Sequence, residues 1–283
     1  MFIEPMLLER REEAFDDDSY IFEPKIDGHR LILSLINGKV RLYTRHNNEV
    51  TRQYPELHNV PVMPGSDVVL DGEVAYVNPD TGAVEFETIM ERFRMSKAPR
   101  IREAVNQVPV HYYVFDVLHY NGEDMRGRPL MERKELLNKI LENNSHFSSV
   151  FHVDGSGKGL FNLIRQRRLE GIVAKRKDSI YVGRRSADWI KIINYQYADV
   201  HIAGYRKDQF GWLAQVNGRP VGIIELAVPS VHKKAFYGVA KSIITGEDKN
   251  IVYVQPSLKA RVRFRNWTKA GKLRTPEFVD FVV

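Results

Sequence analysis

The dipeptide Asn37-Gly38, set between the apolar run Leu31 to Ile36 and the residues Val40, Leu42 and Tyr43, constrains the fold more than any other stretch. Both central positions of a two-residue hairpin loop need positive φ, which Asn and Gly adopt at little cost. The chain must therefore reverse here between two paired strands. Directly upstream runs Glu23-Pro24-Lys25-Ile26-Asp27-Gly28-His29-Arg30. Pro24 disfavours helix and biases Glu23 towards extended geometry, so this octet reads as a loop or strand end feeding a rigid hairpin. Such a mount suits a reactive amine. An ordinary lysine has a pKa of ~10.4, and nucleophilic attack at neutral pH needs neighbours that favour the free amine, such as Arg30 or a metal ion. Read alone, the octet is more often a solvated turn whose charges cluster.

Two domains are expected from 283 residues, of which 43% are apolar. Lys and Arg number 42 against 36 Asp and Glu, a net charge of +6, and the pI is near 9.3. That balance suits a polyanionic partner, although excess charge alone is more often a matter of solubility. The chain has no cysteine, which excludes disulfides and four-cysteine zinc modules. Neither a signal peptide nor an eighteen-residue apolar span is visible, so a reducing, cytoplasmic setting with no membrane contact is expected.

Pro5-Met6-Leu7-Leu8 should pack beneath the segments downstream of it, and Gln53 to Leu57 reads as a helical turn. Val68 to Val77 reads as a buried strand interrupted by Asp71-Gly72-Glu73. Buried carboxylates are costly unless paired or bound to a cation, so Asp71 or Glu73 either opens onto a pocket or sits at a bulge bent by Gly72. Phe86, Ile89, Met90 and Phe93 recur at helical spacing and read as core, with Arg92 and Arg94 on a solvated face or facing a phosphate. Val110 to Leu118 reads as an interior strand broken by Asp116. Pro129 opens a helix through Leu141 at the first-turn position, and another helix is expected from Leu160 to Arg168. Glu170 to Lys175 reads as a short strand on which those two residues face opposite ways. Arg184 to Ile193 reads as a last apolar strand carrying Lys191, for which phosphate is a good partner.

From about Gln196 the pattern changes. Val200 to Tyr205, Gly211 to Val216, Val221 to Val228, Ile251 to Val254 and Ala260 to Phe264 read as five short strands, with a turn at Asn217-Gly218 and a helix from Val231 to Ile244. Five strands with one helix match an OB-fold; the plainer alternative is a small β-domain that caps the first. Arg261, Arg263 and Arg265 alternate and so share a strand face, extended by Lys269, Lys272 and Arg274. Aligned arginines repel unless an anion lies opposite, which favours a DNA backbone contact that carries no base sequence.

The order of segments says more than any one of them. Lys-x-Asp-Gly-x-Arg at Lys25, Asp-Gly-Glu at Asp71, an aromatic strand with Phe115-Asp116, Glu-Gly-x-Val-x-Lys at Glu170 and Trp-x-Lys at Trp189 follow one another. The series resembles the covalent nucleotidyltransferase superfamily of ATP-dependent DNA ligases, RNA ligases and messenger-RNA capping enzymes. With the tail Arg261 to Thr268, then Gly271-Lys272-Leu273-Arg274 and Pro276, it is most similar to the ligase domain of bacterial end-joining DNA ligases, and the likeness covers essentially the whole chain.

That resemblance implies an α+β architecture: an antiparallel-sheet nucleotidyltransferase (ATP-grasp-like ligase) domain at 1–195, then a small β-barrel OB-fold domain at 196–283. It implies that Lys25 attacks the α-phosphate of ATP and carries AMP, and that Arg30 and Arg45 contact the nucleotide or the nick phosphate. Glu73 would hold the ribose or a metal, Phe115 would stack on adenine, and Glu170 would help bind Mg²⁺ or Mn²⁺. Lys175, Arg185 and Lys191 would meet phosphate oxygens, and Glu23 would lie against the adenine edge, through its backbone if not its side chain. Such chemistry needs positioning and charge neutralisation more than acid–base groups, and the motifs hold lysines, arginines and glutamates.

The implied function is sealing of 3′-hydroxyl/5′-phosphate nicks in duplex DNA by a monomeric, nucleoid-associated minimal ligase, with a Ku-like end-binding protein as a possible partner. Closure of the second domain about a hinge near Asn194 to Tyr197 is implied as well. One departure stands out: many ligases end the last strand Lys-x-Lys, whereas Lys191 is followed by Ile192 and Ile193. The alternatives are an RNA ligase or capping-type enzyme, and a non-catalytic nucleic-acid-binding module. The acceptor of AMP separates the first from a DNA ligase; a binder would have no need of Lys25 in that setting.

Overall fold

The computed structural model describes residues 1–282, which divide into two compact units, Met1–Asn194 and a second that begins at Tyr195. In the first unit the strands are β1 (Leu7–Arg10), β2 (Tyr20–Pro24), β3 (His29–Ile36), β4 (Lys39–Thr44), β5 (Val68–Ala75), β6 (His111–Tyr120), β7 (Glu123–Asp124), β8 (Phe147–Ser149), β9 (Val153–Asp154), β10 (Gly171–Arg176) and β11 (Arg185–Ile193). Its helices are α1 (Phe86–Phe93), α2 (Ala98–Gln107), α3 (Leu130–Ile140) and α4 (Gly157–Gln166). They build two sheets, one ordered β1-β11-β10-β2-β9 and one ordered β4-β3-β5-β6-β7 with β8 beside β6.

The hairpin of the second sheet follows from its turn. Asn37 and Gly38 adopt φ of 50° and 69°, and Leu31 to Ile36 then pairs residue by residue with Thr44 to Lys39. Alternate residues of β3 face opposite ways. Leu31 and Leu33 enter a core with Ile89 of α1 and Leu137 of α3, whereas Ile32 faces Ile21 of β2 and Trp189 of β11. A third cluster packs Leu160 and Ile164 of α4 on Phe22, Ile172 and Ile192. The order is thus helix, sheet, sheet, helix, with the inner core between the two sheets.

Several expectations are corrected here. The sheets are mixed rather than antiparallel throughout, because β1 runs parallel to β11 and β8 parallel to β6. Both exceptions are edge pairs, reached by a chain that crosses from one end of a sheet to the other. Pro129 is the N-cap of α3 rather than its first helical residue. Arg92 does not sit on a solvated face: it is fully buried, and its Nη2 donates to both carboxylate oxygens of Glu56 at 3.2 Å. It lies three positions after buried Ile89 and so shares the core side of α1.

The second unit contains β12 (Gln196–Arg206), β13 (Trp212–Val216), β14 (Arg219–Ile224), β15 (Ile244–Glu247), β16 (Ile251–Val254), β17 (Lys259–Phe264) and β18 (Glu277–Val282), with α5 (Ser230–Ala240). Its sheet has seven strands among the described residues, where the sequence leads one to expect five. The two unforeseen strands, Ile-Thr-Gly-Glu and Glu-Phe-Val-Asp-Phe-Val, lack a clean apolar alternation. The helix expected to reach Ile244 ends at Ala240 and passes through a 3₁₀ turn into β15. The long strand β12 pairs with β13, β16 and β17 along its length. A bridge between Leu226 and Glu277 brings the end of β14 to β18, so β12, β13, β14, β18 and β17 form a ring around Trp212 and Phe264.

Candidate active site

Lys25 follows the last residue of β2, and its backbone N–H donates to the carbonyl of Gly171 at 2.9 Å. That bond sets the end of β2 beside the start of β10, so the Lys25 ammonium donates to Glu170 Oε2 at 2.8 Å. Glu170 precedes β10 and is not bound by its alternation. It reaches Lys25, while Lys175 on the strand reaches Glu23 at 2.6 Å. The expected strand from Glu170 to Lys175 thus begins one residue later, at Gly171, and the alternation argued for the two residues does not apply to Glu170.

From the second sheet, Glu73 of β5 faces the same place. Desolvation pushes its pKa up to about 8, with the nearby Glu170 and Asp27 reinforcing the shift against the pull of Lys25 and Arg30. Burial is the main cause, and a cation bound nearby would favour the ionised form. Glu73 and Glu170 are the carboxylates available to a divalent cation here. Among the described residues no three His, Cys, Asp or Glu side chains converge, so a cation held by these two would draw its other ligands from water or substrate, as Mg²⁺ does.

Arg30 does not act as a loose cation next to Lys25. Its Nε donates to Asp71 Oδ1 at 2.9 Å, its Nη2 to Asp71 Oδ2, and its Nη1 to the carbonyl of Met6 at 2.6 Å. Tyr181 donates to the same Asp71 oxygen at 2.6 Å. Burial opposes the guanidinium charge, but Asp71 outweighs it and holds the Arg30 pKa above its ordinary value. Asp71 consequently opens onto no pocket; it is fully buried as the anchor of Arg30. The register of β5 on β6 shifts between Asp71 and Gly72, which is the bulge expected there. Next to Arg30, His29 bonds the Tyr54 hydroxyl, and burial lowers its pKa to about 4, so the ring is neutral near pH 7.

Glu23 is buried, with Lys134 Nζ at 2.6 Å from Oε1 and Lys175 Nζ at 2.6 Å from Oε2. Burial works against its charge, but the two lysines outweigh that and hold its pKa below the usual carboxylate range. Both side-chain oxygens are thus engaged, which leaves the backbone for any ligand edge. Lys175 lies over the rings of Phe115 and Trp189, at 4.3 and 4.1 Å from their centroids. Desolvation lowers its pKa to about 8; Glu23 opposes that shift and Lys134 adds to it. Phe115 is half-buried at the edge of the inter-sheet core and meets Trp189 edge-on at 6.1 Å.

The other expected site residues stand on further strands and loops. Arg45 is exposed after β4, with its Nε on His46 at 3.0 Å. Arg185 is exposed and donates to the carbonyl of Leu8. Lys191 is half-buried on β11, opposite Val173 of β10, and Ile193 is buried. In the second unit Arg261 pairs with Asp199 at 2.8 Å and Arg263 with Glu277 at 2.9 Å. The anions opposite the aligned arginines are the protein's own carboxylates, so repulsion along β17 is no argument for DNA. Arg265 is half-buried, Lys269 is exposed, Lys272 donates to the carbonyl of Pro220, and Arg274 is half-buried.

Sequence reasoning missed Lys134, Tyr181 and the buried pair of Arg133 with Asp116, bonded at 2.8 Å through both carboxylate oxygens. A signal existed for α3: Leu130, Arg133, Lys134 and Leu137 recur at the spacing of one helix face, and all four are buried. Cations on an apolar face imply buried acids opposite.

Residues 5–192 match the family model described as ATP dependent DNA ligase domain. The chain is 41% identical over 285 residues to the SPbeta prophage-derived DNA ligase-like protein LigB of Bacillus subtilis, with all of both chains covered. It is 30% identical over 284 residues to the multifunctional non-homologous end joining DNA repair protein LigD of Mycobacterium tuberculosis, covering 90% of this chain and 35% of that one. Thus it spans the whole of the first relative and about a third of the second. Among solved structures, the ligase domain of M. tuberculosis LigD superposes with a TM-score of 0.60 at 26% identity, covering 98% of this chain and 94% of that chain. A Lig E DNA ligase shares the fold at a TM-score of 0.71 and 16% identity over the full length of both chains.

Proposed function

The chain belongs to the ATP-dependent DNA ligase family, and from that premise we propose that Lys25 is the residue through which it works. The Lys25 amine attacks the α-phosphorus of ATP, a phosphorus–nitrogen bond forms, and the bond to pyrophosphate breaks. AMP then passes to the 5′-phosphate at a nick and frees Lys25. The neighbouring 3′-hydroxyl attacks that phosphate, the phosphodiester forms, and AMP leaves. The observation that carries this reading is the bond of the Lys25 ammonium to Glu170 Oε2 at 2.8 Å, with Glu73 of the other sheet near enough to feel both charges.

Glu73 and Glu170 would hold Mg²⁺ or Mn²⁺, which supplies charge neutralisation at the phosphates when bound. Lys25 must exchange its Glu170 contact for the substrate before it can attack. Lys175 and Lys191 are assigned to phosphate oxygens, and Phe115 to the adenine face. Arg30 acts at one remove: fastened to Asp71, it fixes the strand on which the Lys25 loop is mounted. Arg45 and Arg185, exposed on the first unit, are assigned to the DNA backbone or the nucleotide's outer phosphates.

For the second unit we infer an OB-fold, supported by the five-strand ring on β12 and by α5. Its basic strand and the loop carrying Lys269, Lys272 and Arg274 are assigned to duplex DNA, through phosphates rather than bases. The mycobacterial relatives are end-joining proteins by name, which extends the proposal to end joining, with a monomer acting on ends held by a Ku-like protein. No helix among the described residues is long and apolar enough to cross a membrane.

The test is to mix the protein with Mg²⁺ and α-labelled ATP and follow label that stays with the polypeptide after denaturation. Label is expected on the natural chain and absent from Lys25→Ala; label on that variant means another nucleophile. Nicked, gapped and blunt-ended DNA, with and without a Ku-like protein, then separates nick sealing from end joining.

A further inference from the structure

Lys134 belongs to none of the motifs, yet its side chain is 2% exposed and its ammonium donates to Glu23 Oε1 at 2.6 Å and to the carbonyl of Val150 at 3.2 Å. The second oxygen of Glu23 is 2.6 Å from Lys175. One buried carboxylate therefore serves two buried ammoniums, and the trio carries an excess positive charge. Asp116, the next acid to influence Lys175, is taken up on both oxygens by Arg133 and so does not restore the balance. His152, beside the trio, feels both lysines and Glu23 and has its pKa lowered, by burial first. Phe115 and Trp189 close over Lys175 with aromatic faces.

We propose that Lys134 is a positioning residue that holds the charge of Glu23, so that Lys175 can leave that carboxylate for a phosphate oxygen of the nucleotide. This rests on the assignment of Lys175 to phosphate. With Lys134 in place, Glu23 keeps a cation and its seat two positions before Lys25 when Lys175 departs. Departure also relieves the repulsion between the two ammoniums. Without Lys134, Lys175 is the sole cation of a buried carboxylate. Releasing it would strand that carboxylate, and stranding a buried charge is among the costliest changes in a protein interior. The incoming phosphate would have to compete against that.

The experiment uses the full chain and single-turnover transfer of AMP from α-labelled ATP to protein, followed against ATP concentration and pH. For Lys134→Met the half-saturating ATP concentration is expected to rise by roughly tenfold, more than the maximal rate falls. Its alkaline limb should move to higher pH, because a like charge that lowers the Lys175 pKa is gone. A loss of folded protein alone would not move that limb. Lys134→Arg should behave as the natural chain. The double variant Glu23→Gln with Lys134→Met leaves no carboxylate to detain Lys175 and should recover the ATP dependence of Glu23→Gln alone.

The proposal is overturned if Lys134→Met saturates and titrates like the natural chain, or if the double variant is no better than the single one. Should Lys134→Met fail to fold, the double variant is compared with Glu23→Gln alone. Equal ATP dependence supports the proposal, and a much weaker double variant overturns it. If the natural chain takes no label at all, the reading of Lys25 fails instead, and the two failures are distinct.

Discussion

Lys25 and Glu170 stand 145 positions apart in the chain and meet at 2.8 Å. Their side chains are 18% and 3% exposed, so the pair lies at the floor of the site with the lysine on the open side. On the proposed reading, the lysine is thus parked on a carboxylate that, once released, would help neutralise an incoming cation.

Glu170→Gln should slow transfer of AMP to the protein by about 100-fold while leaving the label on Lys25, since an electrostatic partner is removed and the nucleophile is not. Lys25→Arg should take no label, because a guanidinium stays protonated and cannot attack. Quenched-flow labelling with α-labelled ATP reads both. A Glu170→Gln chain as fast as the natural one would remove Glu170 from the mechanism.

Glu73 makes stability depend on pH in a stated direction. Its pKa is raised to about 8 in the folded chain, by desolvation first, against roughly 4.3 for an ordinary glutamate. Between those values the folded state binds more protons than the unfolded one, so the contribution is present at low pH and lost as pH rises through about 8. Glu73→Gln should therefore melt higher than the natural chain at about pH 8 and about equally at about pH 4. Mg²⁺ should raise the melting temperature of the natural chain more than that of the variant. Melting curves at the two pH values, with and without Mg²⁺, provide the check, and identical pH dependence in the two proteins would refute the assignment.

Gly28 brings the Lys25 loop against β5. A Cβ at this position would stand 2.0 Å from the carbonyl oxygen of Val74 and 2.8 Å from its carbon. Backbone atoms in a paired strand cannot move aside as a side chain can, so Gly28→Ala must displace the loop and with it Lys25. The expected outcome is a loss of about 100-fold in AMP transfer, because a misplacement of about 1 Å costs that much. The same labelling assay, with a melting curve to show that the chain still folds, decides it; full activity in a folded variant would show that the loop is not held by this contact.

Legibility in the sequence followed the range of the interaction. Asn37-Gly38 was readable because a positive-φ turn is written in two adjacent residues, and both take that geometry. Lys25, Glu73 and Glu170 were readable as an ordered series; Lys25 and Glu170 bond at 2.8 Å, and Glu73 feels the charge of both. Arg30 was readable as a charge near Lys25 but not as the partner of Asp71, 41 positions away. Arg261 and Arg263 were readable as one face of a strand, whereas Asp199, 62 positions from Arg261, and Glu277, the partner of Arg263, came beside them only through the pairing of β17 with β12 and β18. Lys134 was illegible because its reason for being buried, Glu23, lies on another element 111 positions upstream.

The buried pair of Arg92 and Glu56 gives a stability prediction. Both side chains are essentially inaccessible, and Nε and Nη1 of Arg92 have no hydrogen-bond partner among the described residues. Glu56→Ala would leave a guanidinium buried with no counter-charge, at a cost of about 3–5 kcal/mol. Replacing both residues, with Glu56→Leu and Arg92→Met, should cost much less, because no charge is then stranded. Denaturant unfolding of the three proteins, following the transition of the first unit, tests this. A double variant as unstable as Glu56→Ala would mean that the pair is valued for its shape rather than its charge.

The ion pairs of the second unit predict how it should answer to DNA. Arg261 and Asp199 are both about half-exposed, at 54% and 41%, so their attraction is weak and screened. The carboxylate nevertheless cancels the arginine in the field that a phosphate backbone would feel. Asp199→Asn should therefore strengthen binding to nicked duplex DNA and steepen its fall with salt by about one unit of slope, as for one added phosphate contact. Arg261→Ala should weaken binding with a smaller change of slope, since part of that charge is already cancelled. For the natural chain, raising salt from about 50 to 200 mM should weaken binding by orders of magnitude. Titrations of labelled nicked DNA at several salt concentrations measure all three slopes. If Asp199→Asn binds no better, the face of β17 that carries Arg261 is turned away from the duplex, and the loop with Lys269, Lys272 and Arg274 must carry the contact.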